Sequence, residues 1–198
     1  MPQFRLIGPA DYKAMPWRNG GGTTSEIAVA GAAGGPFRWR LSIAEVAQSG
    51  PFSDFAGSER VIAVVAGAGM RLDVAGRAPV ILDENSPAYA FPGEAVTNCT
   101  LIDGPVRDFN LIFERSGCSG SLEAIDFAAS PVRQLLARGD IAFLHAVRGI
   151  AAAEVREERK IAVPESATLR IDALDATLAL AAETSGRALL AIISERRR

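Results

Sequence analysis

A strand-and-turn rhythm written twice is the feature that most restricts how this chain can fold. Residues Val80–Arg115 lie over Ile161–Arg196 at an offset of 81 without a gap. Glu84 falls on Glu165, the turn Asp103-Gly104-Pro105 on Thr184-Ser185-Gly186, and Glu114-Arg115 on Glu195-Arg196. Upstream, the apolar run ending at Gly67 resembles Ile141 to Gly149 at an offset of 82. Internal similarity of this length reads as two copies of one unit, here residues 1–118 and 119–198.

Each unit is built from short strands. Nineteen glycines and eleven prolines punctuate the chain, and strand-like runs lie between them. In Phe37 to Ala44, Trp39, Leu41 and Ile43 alternate with Arg40 and Ser42. In Asp108 to Arg115, Phe109, Leu111 and Phe113 alternate with Asp108, Asn110 and Glu114. Val61 to Ala66 is continuously apolar, as a strand buried on both faces would be. Only Pro131 to Arg138 reads as helix, about two turns, with Ser130 as N-cap and Gly139 as stop. The fold class expected is all-β, in two units.

Composition excludes several functions. The chain is 48% hydrophobic with a net charge of −2, so it can bury a core and offers no basic surface to nucleic acid. The Arg196-Arg197-Arg198 triplet reads as a solvated tail. No apolar run approaches the ~20 residues of a spanning helix, and Met1–Lys13 has no signal-peptide core. With two separated cysteines, Cys99 and Cys118, a reducing cytoplasm is expected. The one histidine, His145, sits in an apolar run and reads as a hydrogen-bonded residue. No transition-metal site is expected, because such sites need several convergent N or S ligands, and no cofactor is expected.

Polar and aromatic residues concentrate in the first copy. Alternate residues of a strand share a face, so Arg40 with Ser42, and Asp108 with Asn110, present paired polar groups. Trp17, Asn19, Thr24, Glu26, Ser53, Arg60 and Phe91 complete the candidate pocket. Arg40 and Arg60 are the carboxylate forks. Asn19, Ser42 and Asn110 orient the ligand, and Trp17 or Phe91 walls it. The run Asn19-Gly20-Gly21-Gly22-Thr23-Thr24 reads first as a tight turn and second as an anion nest. The second copy, rich in Ala, Leu and Ile, reads as scaffold.

Several of these stretches together resemble one family. Met15-Pro16-Trp17-Arg18-Asn19-Gly20-Gly21-Gly22-Thr23-Thr24-Ser25-Glu26-Ile27, Trp39-Arg40-Leu41-Ser42-Ile43-Ala44-Glu45 and Gly50-Pro51-Phe52-Ser53-Asp54-Phe55 are similar to the HutD/Ves family, as are Gly57-Ser58-Glu59-Arg60, Phe91-Pro92-Gly93-Glu94 and Asp103-Gly104-Pro105-Val106-Arg107-Asp108-Phe109-Asn110-Leu111. The resemblance covers residues 12–115. It implies a bicupin, two jelly-roll barrels packed together, associated with bacterial histidine utilisation, a binding or regulatory role and a formylglutamate-like ligand. Ves-type members are linked instead to stress responses. Cupin motifs place histidines near Gly67–Gly76 and after Pro92-x-Gly. Here those stretches hold Met70, Arg71, Asp73 and Glu94 and no histidine, so metal chemistry is not carried over.

The expected function is binding of a small anionic metabolite, with no catalytic residue, nucleic-acid partner or membrane partner, and with a homodimer left open. The alternative is a metal-free isomerase or hydrolase with Asp108 or Glu26 as general base. A protein-interaction role ranks third.

Overall fold

In the computed structural model, residues 3–17, 20–31, 36–127, 132–136, 140–155, 159–172, 176–182 and 186–196 are described. They are strands and turns, with one 3-10 turn at Pro9–Asp11 and no α-helix among them. Two compact units result.

The unit formed by Tyr12–Ser119 has two sheets. One contains six strands, β2 (Lys13–Pro16), β3 (Gly22–Gly31), β4 (Phe37–Val46), β11 (Val106–Glu114), β6 (Ser58–Ala66) and β9 (Tyr89–Pro92), adjacent in that order. The other runs β5 (Gly50–Pro51), β10 (Thr97–Leu101), β7 (Met70–Val74), β8 (Val80–Leu82). Ala44, Ile62, Val64 and Val106 of the first meet Met70, Leu72, Leu82 and Cys99 of the second in one apolar core. Both faces of β6 are buried, as its apolar run requires.

The remaining unit comprises Met1–Asp11 and Gly120–Arg198. Its five-stranded sheet runs β1 (Gln3–Ile7), β17 (Thr168–Asp172), β14 (Asp140–Arg148), β19 (Gly186–Glu195), β12 (Cys118–Phe127). Its four-stranded sheet runs β13 (Val132–Leu136), β18 (Ala176–Ala182), β15 (Ala151–Val155), β16 (Arg159–Val163). The orders β4-β11-β6-β9 and β12-β19-β14-β17 correspond, as do those of the two four-stranded sheets, so the repeat is one topology used twice. Even its detail recurs. The Gly67 amide donates to Glu84 Oε1 at 3.2 Å, and the Gly149 amide donates to Glu165 Oε2 at 3.0 Å.

Three expectations need correction. The first eleven residues do not belong with the first copy, because Gln3–Ile7 pairs antiparallel with Thr168–Asp172. The segment expected as helix holds strand β13, paired with β18 from Val132↔Leu180 to Leu136↔Ala176. Two turns of helix are too few to offset their nucleation cost, whereas a sheet edge supplies backbone partners at once. Ser130, Pro131, Arg138 and Gly139 lie outside the described residues. Finally, the ungapped offset places Asp108 and Asn110 on Leu189 and Ala191, but Ile62 pairs with Asn110 while Leu144 pairs with Leu190. The core-facing equivalents of Asp108 and Asn110 are therefore Ala188 and Leu190, and a slip of one residue exchanges the faces of a strand.

Candidate functional site

The six-stranded sheet turns a polar row toward a cavity of about 580 Å³, a size ordinary for small-molecule sites. Strand register builds the row. Ser42 on β4 lies opposite Asn110 on β11, and Ile112 lies between Arg40 and Arg60. On β3, Thr24 pairs with Ala44 and, across the neighbouring β2, with Met15. The walls are Met15, Pro16, Trp17, Ala44, Pro51, Phe52, Phe55 and Ile112, and the polar groups are Thr24, Arg40, Ser42, Ser53, Arg60 and Asn110.

Both arginines and Asn110 are held in place by their neighbours. Arg60 Nε donates to Asn110 Oδ1 at 2.8 Å, and Asn110 Nδ2 donates to Asp108 Oδ1. The Arg60 guanidinium lies 4.2 Å from the Phe52 ring centroid and 5.7 Å from that of Phe91. Arg40 is stacked likewise, 4.9 Å from Phe37 and 5.2 Å from Phe55. Such cation–π contacts fix the guanidinium planes but leave their N–H edges free. Arg40 Nε is buried without a hydrogen-bond partner, and so is Asp108 Oδ2.

The glycine run shapes the Trp17 wall. Trp17 Nε1 donates to Thr24 Oγ1 at 2.8 Å, and a Cβ at Gly22 would sit 3.1 Å from the indole ring. It would also collide with Glu45 O, so the neighbouring β4 backbone demands glycine here and the indole ring packs against the bare turn. The Gly20 amide donates to Trp17 O at 3.0 Å, which makes this run the tight turn. Gly93 anchors the segment that carries the lining residue Phe55: Phe55 N donates to Gly93 O at 2.9 Å, and Gly93 N donates to Ser58 O at 2.8 Å.

Electrostatics leave the cavity positive. Burial lowers the Arg60 pKa to about 10, with Arg40 adding to the fall and Asp108 opposing it. Burial also lowers that of Arg40, against the attraction of Glu26. Both arginines stay charged at neutral pH. Burial pushes Asp108 up to about 6, against the pull of Arg60 and the Asn110 hydrogen bond. No Asp, Glu, His or Cys is among the described lining residues.

Of the residues singled out in the sequence, Trp17, Thr24, Arg40, Ser42, Ser53, Arg60 and Asn110 line the cavity. Asn19 lies outside the described residues. Three do not reach the cavity. Phe91 is core beneath Arg60 rather than wall. Asp108 is completely buried behind Asn110. Glu26 shares the cavity face of β3, opposite Ser42, and acts on Arg40 through its charge. Sequence reasoning missed Phe37 and Phe55, the stacking partners of Arg40. Phe55 stands in a conspicuous Phe52/Phe55 spacing, but no local pattern links either ring to an arginine on another segment.

The other reactive side chains are quiet. His145 is buried, with Nδ1 3.0 Å from Thr168 Oγ1. Cys99 and Cys118 are free and buried, and burial pushes the Cys99 thiol up to about 11. Among the described residues, no group of three or more His, Cys, Asp or Glu could hold a metal ion, and no helix is long and apolar enough to cross a membrane.

Similarity to known proteins agrees with the motifs. The HutD family matches residues 9–190. A Pseudomonas putida relative, an uncharacterized 21.2 kDa protein in the hutC 3' region, is 47% identical over 116 residues, 57% of this chain and 60% of that protein. The Ves protein of Citrobacter koseri is 36% identical over 120 residues, 59% of this chain and 62% of its own length. The match thus spans less than two thirds of either curated relative. HutD from Pseudomonas fluorescens SBW25, solved in a formate condition, superposes with a TM-score of 0.83 at 33% identity, covering 98% of this chain and 100% of that one. Neighbours near 10% identity, such as the Escherichia coli pirin YhhW in complex with nickel(II) at a TM-score of 0.65, are cupin-like and share the fold alone.

Proposed function

Because the chain belongs to the HutD family, we propose that its Tyr12–Ser119 unit is a receptor for a small carboxylate metabolite in histidine utilisation, and that its two units are the paired jelly rolls of a bicupin. One observation carries the ligand class. Two stacked guanidinium groups border the cavity, and neither Arg40 nor the terminal nitrogens of Arg60 have a hydrogen-bond acceptor among the described residues. Arg40 Nε is also buried; a buried guanidinium donor calls for a charged acceptor, and a carboxylate fits a guanidinium edge with two parallel bonds.

The remaining chemistry narrows the ligand. The Asn110 carbonyl is used by Arg60, so the floor offers donors and the hydroxyls of Ser42 and Ser53. A free ammonium would meet two like charges and no carboxylate. An acylated amino acid of the formylglutamate type, whose nitrogen carries no charge, suits this floor better than a free amino acid.

The enzymatic alternative loses its base. Asp108 is separated from the cavity by Asn110, and Glu26 is not among the lining residues. A general base must come within hydrogen-bond reach of the proton it removes, so the binding reading stands first.

Thermal unfolding with N-formyl-L-glutamate tests it. Ligand at a hundred times its Kd stabilises by about 2.7 kcal/mol, a rise of roughly 5–10 °C for a chain of this size. Arg60→Ala is expected to abolish the rise and Arg60→Lys to recover only part of it. No rise with this or any related carboxylate refutes the proposal.

A further inference from the structure

Asp108 has no place in a simple anion site, since a carboxylate behind the floor opposes the charge the floor attracts. It is completely buried, one oxygen accepts from Asn110, and the other is buried without a partner. Asn110 spends its carbonyl on Arg60 and an N–H on Asp108, so turning the amide over would lose both bonds. The three residues form one chain from the cavity to the orphaned oxygen.

We propose that the cavity takes up its anion together with a proton, which binds Asp108 while Asn110 couples that carboxyl to Arg60. This rests on the carboxylate-binding reading above. Within the protein, Arg60 is the charge partner of Asp108. A bound carboxylate competes for the same guanidinium, and two anions on one cation in a dry site repel each other. Protonation of Asp108 from solvent removes the conflict and leaves Arg60 to the ligand. Release of the ligand returns the proton.

The surroundings single out Asp108 as the group that takes the proton. Its cross-strand neighbours are Ala44 on β4 and Val64 on β6, both neutral. The one titratable group that acts on it is Arg60 on β6, while its own charge is felt by Cys99 on β10. Beyond them are Arg40 on β4 and its partner Glu26 on β3. Arg60, at about 10, and Cys99, at about 11, keep their protons through the neutral range. Asp108, at about 6, begins that range ionised and close to its midpoint. A free ligand carboxylate titrates at about 4 and contributes no proton.

Isothermal titration of N-formyl-L-glutamate in buffers of different ionisation enthalpy reads the coupling directly. Binding is expected to take up about half a proton near pH 6.5 and to be about six-fold tighter at pH 5.5 than at pH 7.5, for a one-unit rise in the Asp108 pKa. Asp108→Asn mimics the protonated acid and is expected to bind at all pH values as wild type does at low pH. Binding without proton uptake overturns the coupling and leaves the carboxylate site standing. Uptake that persists in Asp108→Asn overturns the assignment to this residue. No binding at any pH overturns the carboxylate site and the coupling with it. A carboxyl 13C titration of the ligand-free protein needs no variant: Asp108 titrating near 4 overturns the proposal.

Discussion

Asp108 costs the fold free energy in one pH range only. Its carboxyl is raised from 3.8 to about 6, first by burial. The folded state therefore holds the proton more tightly than the unfolded chain. The stabilisation is complete below about pH 4 and is lost as pH rises through 6, an effect of about 2–3 kcal/mol. Denaturation by urea between pH 4 and 8 is expected to show this fall in wild type and a flatter profile in Asp108→Asn. An Asp108→Asn profile that falls as steeply as wild type means the carboxyl is not raised. Arg60 differs, because its Nε bond and two aromatic faces hold it in place whether or not a ligand is present. Arg60→Ala removes the ligand's partner and also leaves the Asn110 carbonyl unsatisfied, so a stability loss of about 1–3 kcal/mol is expected beside the binding loss.

At the scale of elements, the turns carry strict local demands. Gly67 has a φ of +104°, and a Cβ there would come within 2.6 Å of Pro105 O. Gly76 has a φ of +79° but open space around it. Gly76→Ala should cost about 1 kcal/mol for backbone strain alone, and Gly67→Ala about 2–3 kcal/mol or more with the clash added. Chemical denaturation of the two variants compares them, and equal losses would refute the clash. Register decides more than propensity does in the strands. In the first unit the row facing the core bears Arg60, Asp108 and Asn110. At the matching places in the second unit stand Ala142, Ala188 and Leu190, all within the apolar core. The same topology is thus lined by a charged, cavity-forming row in one unit and packed dry in the other.

At the scale of the whole molecule, the chain's order and its units do not coincide. Strand β1 is the edge of the Gly120–Arg198 unit although it precedes the other unit in sequence. Removal of residues 1–8 is expected to unprotect Thr168–Asp172 in hydrogen exchange, since these residues lose one of their two strand neighbours. The cavity strands β4, β6 and β11 should keep their protection. Loss of protection in those strands instead would contradict the division.

Much of this was legible in the residues themselves. Alternation placed Arg40 with Ser42 and Asp108 with Asn110 on one face, because the strand period is two wherever the strand lies. The repeated spacing announced two like units, and the glycine run announced its turn. These are local consequences of backbone geometry, so the sequence determined them alone. Tertiary structure decided which oxygen is left without a partner, which phenyl rings stack on which arginine, and where the first strand pairs. Those outcomes depend on residues tens of positions apart meeting across a sheet, and the desolvation that makes Arg60 and Asp108 chemically unusual exists only once they meet. Tertiary structure also turned Val132–Leu136 into strand, because hydrogen bonds offered by a neighbouring edge outweigh the weak preference of five residues.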